Sequence, residues 1–121
     1  MTRFIRWLGR LWRTPSDFEG SPLEYALNQI GHGYLIGGVP ALIWGPAALL
    51  PLVLVYLAVV ELPQLVFWRG RVADGLEDAA HVATVAVAVA YGAWPALAAH
   101  ALFVAAGTVA RMNVGETDGN A

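Results

Sequence analysis

The sequence predicts an all-α protein, a polytopic membrane four-helix bundle preceded by an N-terminal amphipathic interfacial helix. Three observations predict it. Of 121 residues, 58% are hydrophobic and 13% charged, about half the ~25% charge of a typical soluble domain. The apolar residues fall in blocks: Val39 to Val60 carries no charge, and His100 is the one acidic or basic group between Val82 and Ala110. Each block exceeds the ~20 residues that cross a bilayer core. Finally, all seven basic residues are arginines, and four spans with both termini cytoplasmic put every one of them on the same side, as the positive-inside rule requires.

Taken in order, residues 1–21 begin with "TRFIRWLGRLWR". Phe4, Trp7, Leu8, Leu11 and Trp12 alternate there at helical spacing with Arg3, Arg6, Arg10 and Arg13. That is the pattern of a helix lying in the membrane interface. Arg6, Arg10 and Arg13 interrupt the apolar run a secretory signal needs, and no small-residue cleavage site follows. "TPSDFEGSP" then makes a turn, with Ser21 placed to cap a helix opening at Pro22.

Residues 22–111 form a single transmembrane domain with spans expected at about 22–38, 47–68, 76–91 and 95–111. The connections are "GGVPALIWGP", the polar loop "RGRVADG" and the tight turn "GAWP"; residues 112–121 read as a disordered acidic tail. Trp44 and Trp94 fall at the outer interface and Trp68 at the inner one, as an aromatic belt would have them. Gly33 and Gly37 offer a small face for close helix approach. Pro63 kinks the second span and frees the carbonyl of Val59. The localisation that follows is a bacterial inner membrane, multi-pass, with both ends cytoplasmic.

Ionisable groups inside spans cost at least ~2.5 kcal/mol each on insertion scales and so usually face the bundle interior. Here they gather. Glu24, Asn28 and His32 follow one another at intervals of four, within an arc of ~80° on a helix. Glu61 and Gln64 share a direction on the second span. Asp74, Asp78 and His81 share a face on the third, bordered by Glu77. From the ~1.5 Å rise per residue, Glu61, His81 and Asn28 lie about 10, 8 and 9 Å from the cytoplasmic ends of their spans. One polar pocket in the cytoplasmic leaflet is the expectation.

Three chemistries fit such a pocket. His32, Glu61, Glu77 and His81 supply imidazole and carboxylate ligands suited to a divalent metal, with Asn28 or Gln64 orienting them. Without a metal, Glu61 can act as a base with His81 or His32 as proton partner. Arg69 and Arg71 at its mouth offer forks for phosphate oxygens, so Asn28, Gln64, Arg69, Arg71 and Asp78 become candidate substrate contacts for a lipid or lipid-linked phosphate. The third reading is a satisfied buried network that fixes helix packing. His100 stands apart as a packing hydrogen-bonder. With no cysteine in the chain, disulfides, thiolate metal sites and thiol nucleophiles are excluded. Phosphate-loop, serine-elbow, His-Glu-x-x-His and nucleic-acid signatures are likewise missing from the sequence.

The order of these residues resembles the VanZ-like family of small bacterial membrane proteins. That family pairs an acid-Lys-x-x-His element with a Glu-x-x-Gln element on the next span. An Arg follows, with an Asp six residues on and an Asn four beyond that. "NQIGH" puts His32 at the family histidine, "ELPQ" supplies Glu61 and Gln64, and "RVADGLEDAAH" puts Glu77 and His81 six and ten residues after Arg71. The resemblance covers about residues 24–92, with departures at Asn28, Gln29, Glu77 and His81. It implies a membrane protein acting near lipid or envelope precursors, in a family associated with glycopeptide resistance. Small integral diacylglycerol kinase is similar in size and in its N-terminal amphipathic helix, but its Asn-x-x-x-Glu element does not follow Glu61. Two functions remain open from sequence: binding, with or without modification, of a lipid or lipid-linked phosphate, or a non-enzymatic structural or pore-forming role, holin-like and of host or phage origin, held as a homo-oligomer.

Overall fold

The computed structural model describes residues 21–68 and 70–117, with side chains to residue 112. The expected interfacial helix over residues 1–20 and Arg69 lie outside the described residues. Among those described the protein is all-helical, in three runs: α1 (Pro22–Phe67), α2 (Val72–Ala90) and α3 (Trp94–Thr117). Four separate spans were expected. Instead the first two form one run, because residues 39–46, expected between the spans, are helical up to Trp44 and lead into a single 3-10 turn at Gly45–Ala48.

The run is nonetheless folded. His32 and Tyr56 are 24 residues apart, ~36 Å on a straight helix, yet their ring centroids are 5.4 Å apart. The fold falls at Gly45, where φ is 64° and ψ −156°, a conformation that side chains with a Cβ rarely adopt. Residues 22–44 and 45–67 are therefore two arms lying back along each other.

Each arm contains a π-helical stretch, Gly31–Gly38 and Leu57–Glu61. Both end in the same way. Val39 N–H bonds Tyr34 O and is followed by Pro40; Leu62 N–H bonds Leu57 O and is followed by Pro63. A proline has no N–H to give, and its ring collides with the carbonyl four residues back. Widening the turn by one residue moves that carbonyl aside, which is how a π-bulge absorbs a proline inside a helix.

The helix α2 starts at Val72 and not near Leu76, after extended backbone at Arg71 (φ −95°, ψ 136°). The N–H groups of Asp74 and Gly75 both donate to Arg71 O at 3.1 Å, so the first turn closes within the expected loop. Asp74 lies in that turn, where a carboxylate is favoured by the helix dipole. At the far end Gly92 (φ 67°) ends α2 as expected, with Ala93 N–H donating to Ala88 O at 2.7 Å. The final helix continues through Met112 to Thr117, where a tail was expected.

The central helix is α2. Val82, Val85 and Ala86 are fully covered, and α2 packs chiefly on Gly31–Gly38. There a Cβ on Gly37 would collide with the carbonyl of Val82, so only glycine admits this approach. Tyr56, Ala79 and Val82 form a core joined by Ile36, Leu52 and Val60, so both arms of α1 meet α2. Most large apolar side chains face outward, Phe67 at 74% exposure and Leu42 at 73%, while Gln29 and Asp78 have none. Two stretches, Pro22–Phe67 and Trp94–Met112, are long and apolar enough to cross a membrane.

Candidate functional site

Two polar clusters flank α2. The first centres on Asp78. Its Oδ1 accepts a hydrogen bond from Gln29 Nε2 at 2.7 Å, and His32 Nδ1 stands 3.4 Å from Oδ2. Asn28 Nδ2 lies 3.4 Å from the same imidazole nitrogen. The His32 ring meets Tyr56 edge-on at 5.4 Å, and the Tyr56 hydroxyl donates to Glu61 Oε1. The other oxygen of Glu61 fills the space that a Cβ on Gly75 would take. A side chain at position 75 would expel Glu61. Gln29, Asp78, His32, Tyr56 and Glu61 thus form one file joining both arms of α1 to α2.

The second cluster lies at the start of α2 and the end of α3. Tyr25 Oη donates to Glu77 Oε1 at 3.0 Å, and Arg111 Nη2 is 4.0 Å from Glu77 Oε2. The Arg111 guanidinium sits 3.6 Å over the Tyr25 ring, a cation–π contact, and Nη1 donates to Gly107 O at 3.3 Å. His81 Nε2 is 3.9 Å from Glu77 Oε1. On its other side, His81 Nδ1 meets His100 Nε2 at 2.7 Å.

Two hollows adjoin these clusters. A cavity of about 260 Å³ is lined by Glu61, Gln64, Leu65, Gly70, Arg71 and Gly75 among others. Its rim is set by the Gln64 carbonyl, which accepts from Trp68 N–H at 3.1 Å and Gly70 N–H at 2.9 Å and so turns the chain toward α2. Arg71 Nε is 4.0 Å from Asp74 at that rim. A larger groove of about 770 Å³ runs between α2 and α3, past Glu77, Ala80, His81, Thr84, His100 and Phe103.

The single pocket expected from sequence is therefore divided. Glu61, Gln64 and Arg71 come together at one cavity, and His32, Asn28 and Asp78 share the network beside it. Glu77 and His81 turn to Tyr25, Arg111 and His100 instead. Among the described residues no three His, Asp or Glu side chains are grouped to hold a metal ion. The face expected to carry Glu24, Asn28 and His32 is displaced by one residue: Glu24 is exposed and Asn28 and His32 half-buried, while Tyr25, Gln29, Gly33 and Gly37 are buried. Tyr25 and Tyr56 are additions to the residues expected from sequence, where Gln29 figured only as a departure from the family pattern and Arg111 only among the seven arginines; His100 is bonded into a pair. Comparison of the chain with protein-family models, with curated proteins and with solved structures finds no match.

Proposed function

We propose that this chain is an integral membrane protein that crosses the bilayer four times and holds the phosphate headgroup of a lipid or lipid-linked precursor in the cavity beside Arg71. The single observation that carries the reading is that cavity, where Glu61, Gln64 and Arg71 share one wall. An arginine fork matches phosphate oxygens in charge and geometry. The Gln64 amide can donate to a further oxygen, and Glu61 can accept a hydroxyl of the glycerol or sugar part. Gly70 and Gly75 supply room that larger residues would fill. These same residues carry the resemblance to the VanZ-like family, and membership of it is part of the proposal.

The inverted surface supports the membrane setting. Apolar side chains outside and a buried Gln29–Asp78 bond inside suit hydrocarbon as solvent. Of the acids of α2, which make that helix too charged to span alone, Asp78 is fully covered and bonded to Gln29, and Glu77 is held by Tyr25 and Arg111. Arg71 and Arg111 reach Asp74 and Glu77, one turn apart on α2, so both stand at the same end of the molecule. Trp44 and Trp94 are exposed beside the Gly45 and Gly92 turns at the other.

Native mass spectrometry from vesicles of phosphatidic acid mixed with phosphatidylcholine tests the headgroup claim. Preferential retention of the phosphatidic acid is expected, lost at least tenfold in Arg71→Ala. That corresponds to the ~1.5–3 kcal/mol of a hydrogen bond to a charged group. Equal retention of both lipids, or an Arg71→Ala protein that still discriminates, overturns it.

A further inference from the structure

The groove between α2 and α3 contains a pair of histidines that the lipid-phosphate reading does not use. His81 and His100 are 3% and 5% exposed, and His81 Nδ1 faces His100 Nε2 at 2.7 Å with the rings nearly perpendicular at 83°. At that distance one nitrogen holds a hydrogen and the other accepts it. The remaining nitrogens, His81 Nε2 and His100 Nδ1, are buried without a hydrogen-bond partner among the described residues. The pair therefore has one shared proton, an inlet and an outlet.

Its surroundings lie along a line through the molecule. On the arginine side, His81 Nε2 looks toward Glu77 Oε1 at 3.9 Å. The Glu77 side chain is 34% exposed and is held by Tyr25 and Arg111. On the far side the Tyr34 ring meets His100 edge-on at 5.5 Å, and its hydroxyl donates to Leu97 O at 3.2 Å, one turn nearer the Trp94 end. From the ~1.5 Å rise, Glu77 lies about 7.5 Å inside one end of α2 and Leu97 about 4.5 Å inside the other end of the molecule. Polar groups thus step from near one end to near the other, past Gly33, Val85 and Phe103.

We infer that Glu77, His81, His100 and Tyr34 form a proton path across the membrane, with the two imidazoles as its central relay. The step balances with no further reactant. Glu77 in its acid form gives its proton to His81 Nε2; His81 Nδ1–H passes to His100 Nε2; His100 releases Nδ1–H toward water reached past Tyr34. Each imidazole ends as its other tautomer, and the 2.7 Å bond is kept with donor and acceptor exchanged. Return of the rings to their first tautomers completes a cycle, driven by the proton gradient alone. Ionisable groups facing His81 are Glu77 and Asp78 on its own helix, His32 on α1 and His100 on α3, and Arg111 balances Glu77. Transmembrane chains of acids and histidines serve this role in pumps and transporters.

The inference rests on the membrane-spanning part of the proposed function and is independent of the headgroup. Purified full-length protein in phosphatidylcholine vesicles containing a pH-sensitive dye provides the test, with a potassium–valinomycin potential as the driving force. Proton uptake above that of empty vesicles is expected, reduced at least tenfold in His100→Gln and in Glu77→Gln, and unchanged in Leu42→Ala, a substitution on the outward face of α1. Density-gradient flotation reports insertion separately: protein that fails to float sinks both the membrane reading and the path. Inserted wild type with no uptake overturns the path alone. So does His100→Gln that conducts as wild type, or leakage of the dye itself, which marks an unselective pore. A His100→Gln protein that loses its helical circular dichroism is replaced by Tyr34→Phe, for which slowed uptake supports the path and unchanged uptake counts against it.

Discussion

At the scale of single residues, the glycines of α1 separate two effects that sequence alone confounds. A Cβ on Gly37 would meet the backbone carbonyl of Val82, with Val82 C and Cα at 3.1 and 3.2 Å, whereas one on Gly31 meets nothing within 4 Å. Backbone cannot step aside as a side chain can. Gly37→Ala should therefore lose ~1–3 kcal/mol through overpacking, while Gly31→Ala should gain up to ~1 kcal/mol from helix propensity. Thermal melts of the two variants in the same detergent check the pair, and equal melting temperatures would contradict it. The small face of Gly33 and Gly37 was legible in the sequence. Its extension is legible as well: stepping back by fours from Gly33 gives Gln29 and Tyr25, the residues that bond Asp78 and Glu77. The polar spacing Glu24–Asn28–His32 competes with it, and polar residues at four-residue intervals mark a face without saying which way it turns. The glycines, which exist to admit a neighbour, do say.

At the scale of the element, the π-helical stretches explain two faces that an α-helix would not sustain. Tyr25, Gln29, Gly33, Gly37 and Ala41 are all buried, although four steps of four residues would carry an ideal α-helix ~160° around. The wider turns of Gly31–Gly38 remove that drift and keep the row against α2. Likewise Tyr56 and Glu61 are five residues apart, on divergent directions in an α-helix but nearly stacked across a turn whose bonds run five residues back. The hydrogen bond between them spans Leu57–Glu61. Pro63→Ala restores the missing N–H and allows that stretch to return to α geometry, which would part Tyr56 from Glu61. The cost of Tyr56→Phe should then fall in the Pro63→Ala background, with a coupling of ~0.5–3 kcal/mol in a double-mutant cycle of detergent melts. Additive losses would show that the bulge does not hold the pair. A proline-induced distortion next to Glu61 was readable from sequence as a kink. Its form was not, since kink and π-bulge both satisfy a missing N–H and only the packing of Tyr56 against α2 chooses between them.

At the scale of the whole molecule, the direction across the bilayer that we propose rests on where charge and aromatic residues stand. The sequence blocks located the two turns at Gly45 and Gly92 well, because glycine and proline mark them. They misjudged the starts and ends of helices near Trp44, Val72 and Thr117, where helical backbone continues through residues with turn-like composition. Arg71 and Arg111 share one end, and Ala47 and Tyr91 adjoin the two glycine turns at the other. Since the chain contains no cysteine, single exposed positions can be labelled on an otherwise silent background. In intact cells, Ala47→Cys and Tyr91→Cys should react with a membrane-impermeant maleimide, and Val72→Cys, at 69% exposure, only after permeabilisation. Labelling of Val72→Cys alone would invert the orientation and move the proposed phosphate site to the outer leaflet. Equal labelling of all three would mean that the folded α1 does not carry Gly45 across the membrane. The same assignment would fix the sense of the proposed proton path, since Glu77 lies at the arginine end: its carboxyl would then face the cytoplasm, and Tyr34 the exterior.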